Sequence, residues 1–320
     1  MKLLPKVAIL ALLLLPLGAL AQEFPSKPLR LIVPYPPGAS TDILGRLVAQ
    51  KVSASVGQPI VVENRGGASG TIGSAYVAKQ PGDGYTFMIG TDATHTTNSY
   101  LSKDFPYDPI RDFTPLTAAA GNVIILVVPP SFPVHTVKEL VDYAKKNPGK
   151  VAFGSSGAGS PHHLAGELLG QMTGTQLVHI AYKGGGPAVT DALGGQIPML
   201  FASLVSVMPY IQSGKLRAIA VTDTRRYPGL PDVPTIAETV PGFEMTSWLG
   251  FFAPAHVPQP IVKRLNQEIV KALNAPDSRS KMDAAGLVVI GNTPEEFAAM
   301  VRSDYEKRGK LIRAAGIKGE

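Results

Sequence analysis

Leu29-Arg30-Leu31-Ile32-Val33 runs straight into Pro34-Tyr35-Pro36-Pro37-Gly38-Ala39-Ser40, and Ile43, Leu44, Leu47, Val48 and Val52 then recur at helical spacing. A short apolar run stopped by prolines reads as a buried strand. Apolar residues three and four apart read as one face of a helix. The rhythm returns downstream: residues 59–63 (PIVVE) predict a strand, 64–67 (NRGG) a turn, about 70–79 a helix, and 86–90 (TFMIG) a strand that ends in Thr91-Asp92-Ala93-Thr94-His95. Residues 123–128 (VIILVV), 151–154, 177–181, 199–202 and 216–221 read as a second series of strands, with helices beginning at Thr136 and Ser160. Thr293-Pro294-Glu295-Glu296 predicts a last helix, opened by a capping box with proline at its first position. Such alternation argues for an α/β fold with mostly parallel sheets.

Two series of similar size argue for two domains. Residues 123–128 and 248–252 (WLGFF) flank the second series and are expected to form paired hinge strands, one carrying the chain out and the other back. The expected domains are then residues 22–123 with 249–320, and residues 124–248.

The chain has 320 residues, is 45% hydrophobic and 17% charged, and holds no cysteine. It is therefore a globular chain, without disulfides, thiolate metal sites or a cysteine nucleophile. The 33 glycines and 29 prolines imply many tight turns. A formal charge of +6 from scattered basic residues gives no nucleic-acid footprint. The first residues read as an export signal. Lys2 and Lys6 precede an apolar run, Pro16 and Gly18 break it, and Ala19-Leu20-Ala21 supplies a small-x-small pattern for cleavage after Ala21. The run is short for a membrane anchor. Residues 1–21 are thus expected to be removed on export to the periplasm.

Three glycine-rich stretches each follow a predicted strand and precede a predicted helix: Gly38 to Asp42, Gly154 to Pro161, and Lys183 to Pro187. The start of a helix leaves N–H groups unpaired and carries partial positive charge, so it suits a carboxylate or phosphate. The same glycines are also ordinary turn residues, with Ser40 and Ser160 as plain caps. Enzyme signatures are missing: Gly154-Ser155-Ser156-Gly157 lacks the spacing of a nucleophile elbow, and no Walker or dinucleotide fingerprint occurs. His162 and His163 sit about 100° apart on a helix, which is poor for joint metal ligation, and neither metal nor cofactor is expected. His163 is read either as a ligand donor or as a buried partner of backbone. Lys183, the only cation in these stretches, is read as a charge partner or a solvated turn residue.

Residues 25–42 (PSKPLRLIVPYPPGASTD), 61–73 (VVENRGGASGTIG), 154–167 (GSSGAGSPHHLAGE), 181–197 (AYKGGGPAVTDALGGQI), 214–222 (GKLRAIAVT) and 230–238 (LPDVPTIAE) occur in this order. Together they resemble the Bug-type solute receptors of the tripartite tricarboxylate transporter family. The resemblance implies a two-domain periplasmic binding protein fold of type II-like kind, with two hinge crossovers and the ligand in the interdomain cleft. It implies a receptor, not an enzyme, that captures a small organic carboxylate and delivers it to the membrane subunits of a tripartite transporter, and a monomer is expected. Carried over to this chain, the ligand-binding residues are Gly38, Ala39, Ser40, Thr41, Asp42, Thr91, Ser156, Gly157, Gly159, Ser160, His163, Lys183, Gly184 and Gly185. Two positions depart from the pattern. Ala39 stands where relatives commonly carry a second glycine, and Ala202 follows Phe201 where many carry an acid, which favours a ligand without an ammonium. The alternatives are a hydrolase or transferase using Ser156 or Ser160 with His163, and a ligand sensor for a membrane kinase.

Overall fold

A computed structural model describes residues 24–315 and 317. The expected signal sequence and its cleavage site lie outside the described residues. The first lobe opens with β1 (Leu29–Val33), α1 (Ser40–Val56), β2 (Ile60–Asn64), α2 (Thr71–Ala78) and β3 (Thr86–Thr91). A π-helical turn at Ala93–Thr97 continues into α3 (Asn98–Leu101), and β4 (Phe113–Asn122) follows. The second lobe holds β5 (Ile124–Val128), α4 (Val137–Lys146), β6 (Val151–Ser155), α5 (Pro161–Thr173), β7 (Leu177–Ala181), α6 (Gly185–Leu193), β8 (Met199–Ser203), α7 (Leu204–Gln212) and β9 (Arg217–Val221). The chain then returns through β10 (Trp248–Pro254), α8 (Gln259–Asn274), α9 (Pro276–Ala284), β11 (Leu287–Val289) and α10 (Pro294–Ala315).

The strands form two sheets, ordered β11-β4-β10-β3-β1-β2 and β7-β6-β8-β5-β9. Each is mixed, not mostly parallel. β1 pairs in parallel with β2 and β3, and β6 with β7 and β8. The pairings of β4, β5, β9, β10 and β11 are antiparallel. The reason is the path between lobes: a strand that leaves one sheet directly into the next has no crossover helix to reverse it, so it enters against its neighbours.

Residues 123–128 and 248–252 do not pair with each other as expected. β5 is bound on both edges within the second sheet, and β10 on both edges within the first. The contact between the two crossovers falls one step earlier. β4 ends at Asn122 and β5 begins at Ile124, so one extended segment passes through both sheets. The returning segment runs beside it: Asn122 N–H donates to Ser247 O at 2.9 Å, Met245 N–H to Thr222 O at 3.1 Å, and Trp248 stands opposite Gly121.

Helices cover both faces of each sheet, which is why β1 and β5 are apolar on both faces. Leu31, Val33, Leu44, Val48 and Phe251 pack one face of the first sheet against α1 and α8; Ile32, Trp248, Phe252 and Phe297 fill the other. Ile43, expected on the buried face of α1, is instead 40% exposed. α10 joins the lobes. Its Phe297 and Val301 sit on the first sheet, and Ile312 on the core of the second. Its predicted capping box is present, with Glu296 N–H on Thr293 Oγ1 at 3.2 Å and Thr293 N–H on Glu296 Oε2 at 2.9 Å.

Candidate functional site

The three glycine-rich stretches end in α1, α5 and α6, and all three helix starts border one cavity of about 60 Å3 between the lobes. α1 contributes Ala39, Ser40 and Thr41, α5 Ser160, Pro161 and His162, and α6 Gly185 and Gly186. Thr91, Asp92 and Asn122 close it from the first lobe, Ser156, Ser203 and Ser206 from the second, and Ser247 from the return crossover. No lysine or arginine is among its lining residues.

The starts of α1 and α6 carry no side-chain cap, whereas α5 has one. Gly38, at φ +83°, turns the chain, and the extended Ala39 caps α1 without a side-chain bond. Asp42 holds that turn: its Oδ2 accepts from Gly38 N–H at 3.0 Å, and its Oδ1 from Arg46 and Asn64, both at 2.9 Å. These donors hold the Asp42 carboxyl below the ordinary range despite its burial. Among the described residues the N–H groups of Ser40 and Thr41 have no acceptor, and Thr41 Oγ1 is buried without a partner. In α5, Ser160 Oγ accepts from His163 N–H at 3.2 Å and Pro161 supplies no N–H. α6 begins after Gly184, at φ +115°, with no side-chain cap.

Of the expected residues, Ala39, Ser40, Thr41, Thr91, Ser156, Ser160 and Gly185 line the cavity. Gly157, Lys183 and Gly184 line a larger outer groove of about 790 Å3, which shares Tyr35, Ser69 and Ser156 with the cavity. The lobes touch at that mouth, where Ser69 Oγ donates to Ala158 O at 2.9 Å. A Cβ on Gly157, itself at φ +135°, would lie 2.8 Å from Ser69 Oγ. Gly38, Asp42, Gly159 and His163 stand outside both spaces. His163 Nδ1 accepts from Gly159 N–H at 3.0 Å and its ring stacks on His179 at 3.7 Å, so its side chain serves the loop.

The imidazole at the cavity is that of His162. Its Nδ1 lies 2.7 Å from Ser156 Oγ and its Nε2 3.3 Å from Ser203 Oγ. Burial pushes its pKa down to about 4, so the ring is neutral near pH 7. Asp92 is fully buried; its Oδ1 accepts from Ser247 Oγ at 3.1 Å and its Oδ2 from Arg308 Nη2 at 3.2 Å. Burial outweighs the Arg308 charge and raises the Asp92 carboxyl to about 6. Ala202, read as a specificity position, packs in an apolar cluster on β8, and its neighbour Ser203 takes the cavity side. Asn122, Asp92, His162, Ser203 and Ser247 were not anticipated. Asn122 and Ser247 also border a second space of about 540 Å3 behind the crossovers. Among the described residues there is no cluster of metal ligands, and no helix is long and apolar enough to cross a membrane.

Residues 44–317 match the family described as tripartite tricarboxylate transporter family receptor. The chain is 40% identical over 291 residues to the UPF0065 protein in the tcbD-tcbE intergenic region of Pseudomonas sp. (strain P51), covering 90% of this chain and 86% of that one. An R. palustris protein solved with adipate is 37% identical with a TM-score of 0.90, covering 93% of this chain and all of that one. The periplasmic binding protein BugD is 34% identical with a TM-score of 0.87, at the same coverage. Three helix starts around a cleft between two α/β lobes, and likeness along nearly the whole chain, agree: this chain belongs to the receptor family of the tripartite tricarboxylate transporters.

Proposed function

We propose that this chain is a non-enzymatic periplasmic receptor that closes its two lobes over a small organic carboxylate and presents it, as a monomer, to the membrane subunits of a tripartite transporter. On this reading residues 1–21 are removed on export. Residues 22–123 with 249–320 form one domain and 124–248 the other, joined beside Asn122 and Ser247. The carrying observation is the convergence of three helix starts on a cavity with no lysine or arginine among its described lining residues. Unpaired N–H groups and helix dipoles then supply the complement to an anion. The adipate held by the R. palustris relative is an acid of the same class.

Ser156 and His162 are the pair a hydrolase would use. However, His162 Nε2 faces the Ser203 hydroxyl where a triad would place a carboxylate, and the buried ring is a weak base. We assign the pair to binding, and absence of turnover on carboxylic esters is the expected result. The main test is a thermal-shift screen of mono-, di-, tri- and aromatic carboxylates on protein refolded free of ligand. At a hundredfold excess over Kd, binding adds about 2.7 kcal/mol, a rise on the order of 5 °C. A panel without any shift would refute the receptor reading.

A further inference from the structure

The buried ion pair of Asp92 and Arg308 fixes the direction of a hydrogen-bond chain along the cavity wall. A carboxylate paired with a guanidinium only accepts, so the single hydroxyl hydrogen of Ser247 goes to Asp92 Oδ1 at 3.1 Å. Asn122 Nδ2 lies 3.4 Å from Ser247 Oγ and 2.9 Å from Ser203 Oγ, and it must donate to both. That orientation leaves Asn122 Oδ1 as an acceptor, and it is buried with no partner among the described residues. Ser203 Oγ lies 3.3 Å from His162 Nε2, and Ser156 Oγ lies 2.7 Å from His162 Nδ1. The neutral ring has one N–H, so in either tautomer these two bonds use two of the three hydrogens and leave one hydroxyl hydrogen available, on Ser156 or on Ser203. One chain thus leaves a hydroxyl donor at Ser156 or Ser203 and an unpartnered acceptor at Asn122, and all three residues line the cavity.

A ligand carboxylate answers that hydroxyl and the helix starts but has nothing to give Asn122, and a desolvated carbonyl left unpaired is costly. We infer that the ligand is a hydroxycarboxylic acid, whose carboxylate meets the helix starts and the free hydroxyl of Ser156 or Ser203 and whose hydroxyl donates to Asn122 Oδ1. An ammonium fits less well. Asp92 is the one carboxylate lining the cavity, and both its oxygens are engaged by Ser247 and Arg308, so a buried ammonium would lack a charge partner.

This inference rests on the receptor reading, and calorimetry on matched acids separates the two. The probes are malate and succinate, lactate and propionate, 3-hydroxybutyrate and butyrate, with adipate as a longer acid, titrated into the mature protein freed of ligand. In at least one pair the hydroxy acid should bind about tenfold or more tightly than its partner, since a site built to pair a hydroxyl rejects the analogue lacking it. Asn122→Ala should bring that pair to within about threefold by weakening the hydroxy acid alone. The comparison within each pair on the unsubstituted protein stands even if the variant does not fold. Binding confined to acids without a hydroxyl, equal binding within every pair, or discrimination that persists in a folded Asn122→Ala protein overturns this inference and leaves the receptor. Silence from every probe here and from the wider carboxylate screen removes the receptor reading, and the inference with it.

Discussion

Replacing Ser40 by proline tests whether backbone amides hold the ligand. Ser40 is the first residue of α1, and its N–H has no acceptor among the described residues. Proline is well tolerated at that position, because no intrahelical bond is lost and its fixed φ suits the first turn. The preceding Ala39 sits at φ −69° and ψ 159°, the extended region that a following proline requires. The fold should therefore survive with a stability change within about 0.5 kcal/mol, as for a substitution away from packed features. Binding should not survive unchanged. A hydrogen bond to a charged group is worth about 1.5–3 kcal/mol, which corresponds to a roughly 10- to 150-fold rise in Kd. Ser40→Ala is the control, since it keeps the N–H and removes only the hydroxyl. Calorimetry of both variants with a ligand found by the thermal-shift screen reads the difference. The reasoning fails if Ser40→Pro melts with the unsubstituted protein and binds as tightly, or if Ser40→Ala alone accounts for the loss.

Three other outcomes follow from the same geometry. Lys183 is exposed on the outer groove, so Lys183→Ala should change Kd by less than about fivefold, the scale of an exposed charge; a far larger loss in titration calorimetry would bring the lysine into the site. Gly166 lets α5 approach β6, and a Cβ there would lie 2.2 Å from Phe153 Cε2, so Gly166→Ala should cost about 1–3 kcal/mol of overpacking; an unchanged melting temperature counts against that packing. Asp92, raised by burial from 3.8 to about 6, takes up a proton on folding between those values. Its contribution to stability is therefore greatest below about pH 4 and falls by up to about 3 kcal/mol as pH rises through the folded value. Urea unfolding of the unsubstituted protein against Asp92→Asn at several pH values between 4 and 7 should show that decline, and a pH-independent difference would contradict it.

Strands whose two faces are both covered were the most legible. β1 matches its expected bounds, and β3 and β8 run one residue further, because continuous apolar runs between glycine and proline leave little other reading; β7, a partly exposed edge strand, also matches its expected bounds. β4 had no such signature. Its sequence, FTPLTAAAGN, is rich in alanine and contains a proline, and it becomes a strand through pairing with β10 and β11, which are distant in sequence. The helix starts were legible for the same local reason as the strands: glycine, serine and proline at fixed offsets carry cap chemistry. The exchange of His163 for His162 shows the limit of that reasoning. The spacing from Ser160 placed the backbone of His163 correctly, but its side chain is fixed by the neighbouring Gly159 and by the ring of His179 across on β7.

The residues that sequence reasoning missed share a setting. Asn122 ends β4, Ser203 ends β8, Asp92 follows β3, and Ser247 precedes β10. Each is one polar residue at the margin of an apolar strand, where no local pattern separates a site residue from an ordinary turn. They meet because the two crossovers run side by side, a long-range consequence of topology. The position also explains why polar groups are kept there. Asn122 and Ser247 are bonded to each other through backbone and side chain at the point where the lobes join, and both border the cavity between the lobes. Any rotation of one lobe about these crossovers must therefore preserve or break the chain from Asp92 to Ser156. On the proposed reading, a ligand that completes this chain at Asn122 binds one arrangement of the lobes better than others, and that differential affinity is what closure requires.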